Sequence, residues 1–252
     1  MSDFVVHEVA PDVRVRIERP MPPLAPELDA MVETLWRSAA ERVAAGGAGH
    51  LFNGRVFSAD TIAPDRITGH MTEFRRVVAQ MEDPSLGADL GVRPLAVCGV
   101  LSCRDGLVVG RRPAAAVYQP GLWQLPPAGS VDQNAVRPDG STDLAGQLLA
   151  ELREELGLRA DQVSAPRPLC LVEHPGSRVS DLGMTLSTSL DSAAIHATHR
   201  ASGNHEYDPL RIVPFADVPA FIAAAGRQLV PPARIFLSRL RLAGPKSVLA
   251  AG

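Results

Sequence analysis

The sequence predicts an α/β sandwich, a mixed sheet held between helices, preceded by a small α+β domain. Three observations carry that expectation. Short apolar runs bounded by turn formers alternate with segments whose apolar residues recur at helical spacing, as interleaved strands and helices do. A polar, turn-rich stretch at residues 82–91 (EDPSLGADLG) separates two such series. Beyond it, the strongest helical pattern of the chain follows a strand and a tight turn. The expected division is residues 1–85 for the small domain and 91–252 for the larger one.

Residues 4–17 set Val13, Val15 and Ile17 against Arg14 and Arg16, the alternation of a half-buried strand. Pro20, Pro22, Pro23 and Pro26 then interrupt the chain. Leu28, Met31, Val32, Leu35 and Trp36 recur along a helix that Gly46, Gly47 and Gly49 bring to an end. Residues 51–59 and 66–72 read as short strands, and 74–81 as a short helix with Val77, Val78 and Met81 on one side. In the second series, 95–101 and 107–110 are strands about an Asp105-Gly106 turn. Residues 121–125 form a short strand that runs into Pro126-Pro127-Ala128-Gly129, and 131–142 are irregular. A helix spans residues 143–156, with Ser141, Thr142 or Asp143 as its cap and Gly157 just past its end. Further strands are expected at 162–172, 183–190 and 212–214, a loop at 192–205, and helices at 218–225 and 231–242.

Composition narrows the function. The formal net charge of −3 gives no electrostatic attraction to nucleic acid or to an anionic membrane. No apolar run approaches the roughly 20 residues that span a bilayer. Asp3, Glu8 and Asp12 occupy the beginning of the chain in place of a signal peptide's apolar core, so a cytoplasmic location is expected. Cys98, Cys103 and Cys170 lack the CxxC spacing of a zinc site and read as buried thiols. The histidines form neither HxH nor HxxxH.

The informative stretch is Ala150-Glu151-Leu152-Arg153-Glu154-Glu155-Leu156-Gly157-Leu158. On a helix Glu151 is three residues from Glu154 and four from Glu155, so the carboxylates share an edge. Leu148, Leu149, Leu152 and Leu156 supply the buried face. On a solvated face this spacing costs only about 0.2–0.5 kcal/mol per pair. In a shielded site, at about 4 Å and an effective dielectric near 20, each pair repels by on the order of 4 kcal/mol. A dication cancels that repulsion, and hard oxygen donors favour Mg²⁺ (or Mn²⁺). Spacing alone leaves both readings open.

The order of strand, turn, helix and closing Leu-Gly-Leu resembles the Nudix box, G-x5-E-x7-R-E-U-x-E-E-x-G-U, where U is apolar. Glu151-Leu152-x-Glu154-Glu155-x-Gly157-Leu158 matches its second half position for position. Val108-Val109-Gly110-Arg111-Arg112 and Pro120-Gly121-Leu122-Trp123-Gln124-Leu125-Pro126 look like the strands that lead into such a box. The resemblance covers roughly residues 93–242. It implies a Nudix-type α/β/α sandwich, Mg²⁺ (or Mn²⁺) held by Glu151, Glu154 and Glu155, and hydrolysis of a diphosphate linkage. The implied partner is a small nucleotide diphosphate. Catalysis falls to Glu151, Glu154 and Glu206, the last on a loop where many family members carry a catalytic glutamate. Arg111 and Arg112 are candidates for clamping phosphate oxygens, or the end of a solvated strand. Trp123 is a candidate for stacking on a base, or a core residue beside the box.

The box is divergent. Gly129 and Glu151 lie 22 positions apart where the pattern has 15, an insertion of seven residues. The early glutamate falls on Thr142, with Asp143 beside it, and the arginine is replaced by Ala150. In the family that arginine orients a glutamate of the box. A functional but slow enzyme is therefore expected, with Ala150→Arg raising turnover if that glutamate lacks support. The alternative is a catalytically weak or inactive nucleotide-binding or regulatory module. A second resemblance lies upstream. Leu51-Phe52-Asn53-Gly54, Phe57 and Ile67-Thr68-Gly69-His70-Met71-Thr72-Glu73-Phe74-Arg75 are similar to the leading domain of animal UDP-glucose-type Nudix hydrolases. That resemblance implies a UDP-sugar as the first substrate to test.

Overall fold

The computed structural model describes residues 4–46, 50–204 and 206–242, the side chains of 241 and 242 excepted. Gly47 and Gly49, expected at the end of the first helix, and His205, expected in a loop, lie outside the described residues. In chain order the elements are β1 (Val5–His7), β2 (Arg14–Ile17), α1 (Pro26–Ala45), β3 (Arg55–Ile62), β4 (Arg66–Glu73) and α2 (Phe74–Glu82). There follow α3 (Gly87–Leu90), β5 (Leu95–Ser102), β6 (Gly106–Arg111), β7 (Trp123–Gln124), β8 (Ala128–Ser130) and α4 (Leu144–Leu156). The chain continues through β9 (Arg167–Glu173), β10 (Ser180–Ser187), α5 (Ser192–Ser202), β11 (Leu210–Pro214), α6 (Val218–Ala225) and α7 (Pro231–Leu242).

The larger sheet is mixed. Its order is β1-β9-β10-β5-β6-β11, with β8 added to β5 and β7 to β6. β10 runs parallel to β5, and the other pairs are antiparallel. Side chains alternate between its faces with a period of two. On one face Val97, Leu101, Leu171, Leu182 and Met184 pack against Leu148, Leu152 and Leu156 of α4 and Ile195 of α5. On the other, Cys98, Val100, Cys170 and Val172 lie under Ala225 of α6 and Ala233, Phe236 and Leu237 of α7. The expected α/β/α sandwich is present. Among the described residues no helix is long and apolar enough to cross a membrane.

The expected strand over 4–17 is two strands. Pro11 supplies no amide hydrogen, and the chain turns there, with the Val13 amide bonded to Ala10 O at 3.1 Å. β1 then joins β9 in the large sheet, whereas β2 pairs with β4 in a three-stranded sheet ordered β2-β4-β3. Val15, Phe57 and Ile67 of that smaller sheet share one core with Leu95, Val131 and Leu148. The stretch 82–91 is compact: Leu86 and Leu90 pack with Val32 and Ala79. The buried Gln80 amide donates to Val92 O at 3.0 Å and Ser177 O at 2.6 Å. The expected loop at 192–205 contains α5, whose cap, Asp191, accepts from the Ala194 amide at 2.8 Å. Ile195 and His199 are its buried residues, too few to print an apolar stripe on the sequence.

Candidate active site

Two caps fix α4. Asp143 accepts from the Gly146 amide at 2.9 Å, and Gly157 ends the helix at φ 71°, where a side chain would be strained. The register places Glu151 against β8. A Cβ added to Gly129 would stand 2.0 Å from Glu151 Oε1, so the missing side chain lets the carboxylate approach the strand's backbone. The Gln147 amide, one helical turn earlier, donates to Glu151 Oε1 at 2.7 Å. Glu155 lies deeper, 1% exposed, where Ala128 N–H donates to its Oε2 at 3.1 Å and the Tyr207 hydroxyl donates to its Oε1 at 3.5 Å.

Beside these carboxylates opens a cleft of ≈ 1250 Å³, lined among others by Asp132, Glu151, Glu154, Asp181, Glu206 and Arg112. Burial pushes Glu151 up to about 7, opposed by Gln147 and reinforced by Glu154, Glu206 and Asp132. Burial, then Glu206 and Glu151, pushes Glu155 well above the ordinary carboxylate range. Glu206 is raised by burial in spite of Arg112. Among the described residues lining the cleft, five carboxylates face one basic side chain, Arg112.

The structure thus brings together Glu151, Glu154, Glu206 and Arg112 of the residues singled out in the sequence. Glu155 stands behind them, close enough to raise Tyr207 and to be raised by Glu151 and Glu206. Arg111 is not among the cleft-lining residues; it is exposed and donates from Nε to Gly121 O at 3.0 Å. Trp123 is buried in the core rather than lining the cleft. It meets Phe221 edge to face, and the Arg211 guanidinium lies 4.9 Å from its ring centroid. Arg112, half-buried, donates to Tyr118 O and Gln124 Oε1, which hold its guanidinium in place. No group of three or more His, Cys, Asp or Glu side chains among the described residues is arranged to hold a metal ion.

Sequence reasoning passed over Gln147, Asp132 and Asp181. The first had a readable signal, four positions before Glu151 on the same helix face. Asp181 had none, because its place beside the cleft depends on β10 pairing with β5. Leu51, Phe52, Phe74 and Met81 also line the cleft, so the N-terminal segment provides an apolar wall.

No family model and no curated protein matches the chain. Solved structures that resemble it include a Nudix hydrolase from M. smegmatis, RenU, at 20% identity, covering 60% of this chain and 85% of that one, TM-score 0.41. A C. elegans Ap4A hydrolase matches at 16% identity over 60% of this chain and 98% of its own, TM-score 0.40. DR0079 from Deinococcus radiodurans matches at 17% identity over 73% and 98%, TM-score 0.41.

Proposed function

We propose that this protein is a metal-dependent pyrophosphohydrolase that cleaves a diphosphate linkage in a nucleoside-diphosphate derivative. The observation that carries the reading is the cleft lined by Glu151 and Glu154, on a helix that matches half of the Nudix box, together with Glu206 and Arg112. A cleft with five carboxylates and one guanidinium repels an anionic diphosphate unless a cation enters with it. The donors fit Mg²⁺ or Mn²⁺. Mg²⁺ binds through one or two carboxylates together with substrate phosphates, so a ring of three protein ligands is not required. Glu151, at helical spacing from both Glu154 and Glu155, belongs to each pair of carboxylates on α4 that would hold it.

When bound, such a cation polarises phosphoryl oxygens and makes water a stronger acid. Glu151 is held in place by Gln147, and Arg112 neutralises charge on a phosphate oxygen. Glu206 accepts the proton of the water that attacks phosphorus, a role suited to a partly buried carboxylate with a raised pKa. A new P–O bond forms to water, the bridging P–O bond breaks, and the leaving phosphate carries away the electron pair.

The test is a panel of nucleotide diphosphate derivatives, UDP-sugars, dinucleotides and coenzyme A among them, incubated with Mg²⁺ and assayed for products after phosphatase treatment. Turnover abolished by chelation is the expected result. A second reading, a module that binds a nucleotide without cleaving it, is favoured by the departures from the box at Thr142 and Ala150. Binding without turnover across the panel would establish that reading and overturn the first.

Gln147 changes what is expected of Ala150. Ala150 is exposed, and the orienting bond that an arginine supplies in the family pattern is made to Glu151 by Gln147. Ala150→Arg should therefore change turnover little in the native background. Gln147→Leu should lower kcat about 10- to 100-fold, the value of one hydrogen bond to a charged group felt in the transition state. Restoration of turnover by Ala150→Arg in the Gln147→Leu background, measured by steady-state kinetics, would identify orientation of Glu151 as the cause.

A further inference from the structure

The large sheet carries a buried acid that neither the metal site nor the hydrolytic step uses. Asp181 lies on β10, 7% exposed, and lines the cleft. Its strand pairs Asp181 with Ala96 of β5, and Ala96 in turn pairs with Ser130 of β8. Ala96 and Ser130 line the same cleft. Neighbouring strands are about 4.8 Å apart, so Asp181 stands two strands, about 10 Å, from the β8 backbone on which Glu151 rests. A nucleotide spans such a separation between its 5′-phosphate and the hydrogen-bonding edge of its base.

The surroundings of Asp181 leave its carboxyl under-used. The Cys98 thiol, a weak donor, hydrogen-bonds it at 3.4 Å. Arg112 influences it electrostatically, yet the guanidinium donates to Tyr118 O and Gln124 Oε1. Tyr118, near enough to Asp181 for that carboxyl to raise its pKa, brings an aromatic ring to the cleft beside it. The Tyr118 hydroxyl is tethered 3.1 Å from Ser177 Oγ, which holds its ring in place. A buried carboxyl lacking strong donors is costly to keep in a fold. Placed beside the Tyr118 ring in an open cleft, it is set to receive donors from a ligand.

We infer that Asp181 determines base specificity and that the base it selects is guanine. This rests on the reading of the cleft as a nucleotide site, not on hydrolysis itself. Guanine presents N1–H and N2–H side by side, two parallel donors that match the two oxygens of a carboxylate. Uracil offers N3–H between two carbonyl oxygens, each of which repels a carboxylate. Adenine and cytosine each set one amino group beside a ring-nitrogen acceptor, so one carboxylate oxygen faces a lone pair. The uridine expectation drawn from residues 51–75 has no comparable support at the site. Leu51, Phe52 and Phe74 contribute an apolar wall that accepts any base.

The experiment is calorimetric titration of the full chain, with Mg²⁺ present, using GMP, IMP, AMP, CMP and UMP as probes. GMP should bind at least about tenfold more tightly than UMP, AMP or CMP, as bonds to a charged group imply. IMP lacks the N2 amino group and should lose about tenfold relative to GMP. Asp181→Asn presents an amide donor to guanine's donors and should abolish the preference, weakening GMP at least about tenfold and tightening UMP as the repulsion of its carbonyl oxygens is lost. The absence of any base preference in the native protein would overturn the inference, as would a preference intact in Asp181→Asn. If that variant does not fold, the comparison of IMP with GMP decides on the native protein alone, and equal affinities refute the assignment. Discrimination among monophosphates without hydrolysis of any diphosphate would retain Asp181 and refute the hydrolase. Hydrolysis without discrimination would do the reverse.

Discussion

Glu151→Gln is expected to lower turnover of the susceptible nucleotide diphosphate by about three orders of magnitude while the fold is retained, since it removes a charge the cation needs. Glutamine keeps the shape of the side chain and can still meet the Gln147 amide after rotation of its own, so packing against Gly129 is preserved. Burial already disfavours ionised Glu151, and a neutral replacement relieves that cost. Thermal unfolding in chelator should therefore show no loss of stability. Glu154→Gln removes a charge from the lip of the same cleft and should slow turnover less, because Glu154 is exposed and is replaceable by water as a ligand. The checks are kcat at saturating substrate and a Mg²⁺ titration for each variant. Glu151→Gln with native kcat would remove the proposed chemistry. A loss of kcat accompanied by a lower melting temperature would show a structural role in its place.

Much of this arrangement is legible in the sequence where the determining forces are local. α4 announces itself through its leucine stripe, the Asp143 cap and Gly157, and these features also fix the register of Glu151, Glu154 and Glu155. The β5 and β6 runs are apolar and lie on either side of Asp105-Gly106, so both strands are found. Reading fails where pairing across the chain decides the outcome. The alternation of residues 4–17 is continuous in the sequence, yet Pro11 lets β1 pair with β9, more than 160 residues away, and β2 with β4. The sequence leaves Trp123 open between stacking on a base and core packing beside the box, and α6 decides for the core by bringing Phe221 onto it. Arg111 and Arg112 are adjacent on an extended chain, so their side chains diverge and only Arg112 reaches the cleft. The lengthened connection before Glu151 forms a short helical turn at Gln133–Ala135 and a Ser141 bridge to Arg16. The insertion thereby joins the N-terminal sheet, a role no local pattern reveals.

Residues 91–252 expressed without the first 90 residues are expected to be insoluble or unfolded, the second large effect. The boundary at 82–91 suggests a cut, but the forces that cross it are those of a single core. Val15, Phe57 and Ile67, each 2% exposed or less, pack into the cluster that holds Leu95, Val131 and Leu148. At roughly 1.5–3 kcal/mol for each buried apolar side chain, these three contribute about 5–9 kcal/mol. A whole domain is stable by only about 5–15 kcal/mol. Backbone bonds cross as well: Phe57 N donates to Val131 O at 2.8 Å, Ala59 N to Arg93 O at 2.8 Å, and Thr142 N to Val15 O at 2.9 Å. Removal of β1 leaves β9 as an unpaired edge, an invitation to aggregation. The check is expression of both lengths followed by size-exclusion chromatography and thermal unfolding. A soluble, cooperatively unfolding 91–252 fragment with native turnover would show that the N-terminal segment is an accessory module and that the shared core contributes little. A less drastic substitution tests the same claim within the full chain. Phe57→Ala should lower stability by about 3–5 kcal/mol through the cavity it opens, a shift readable as a reduced denaturant midpoint with unchanged slope.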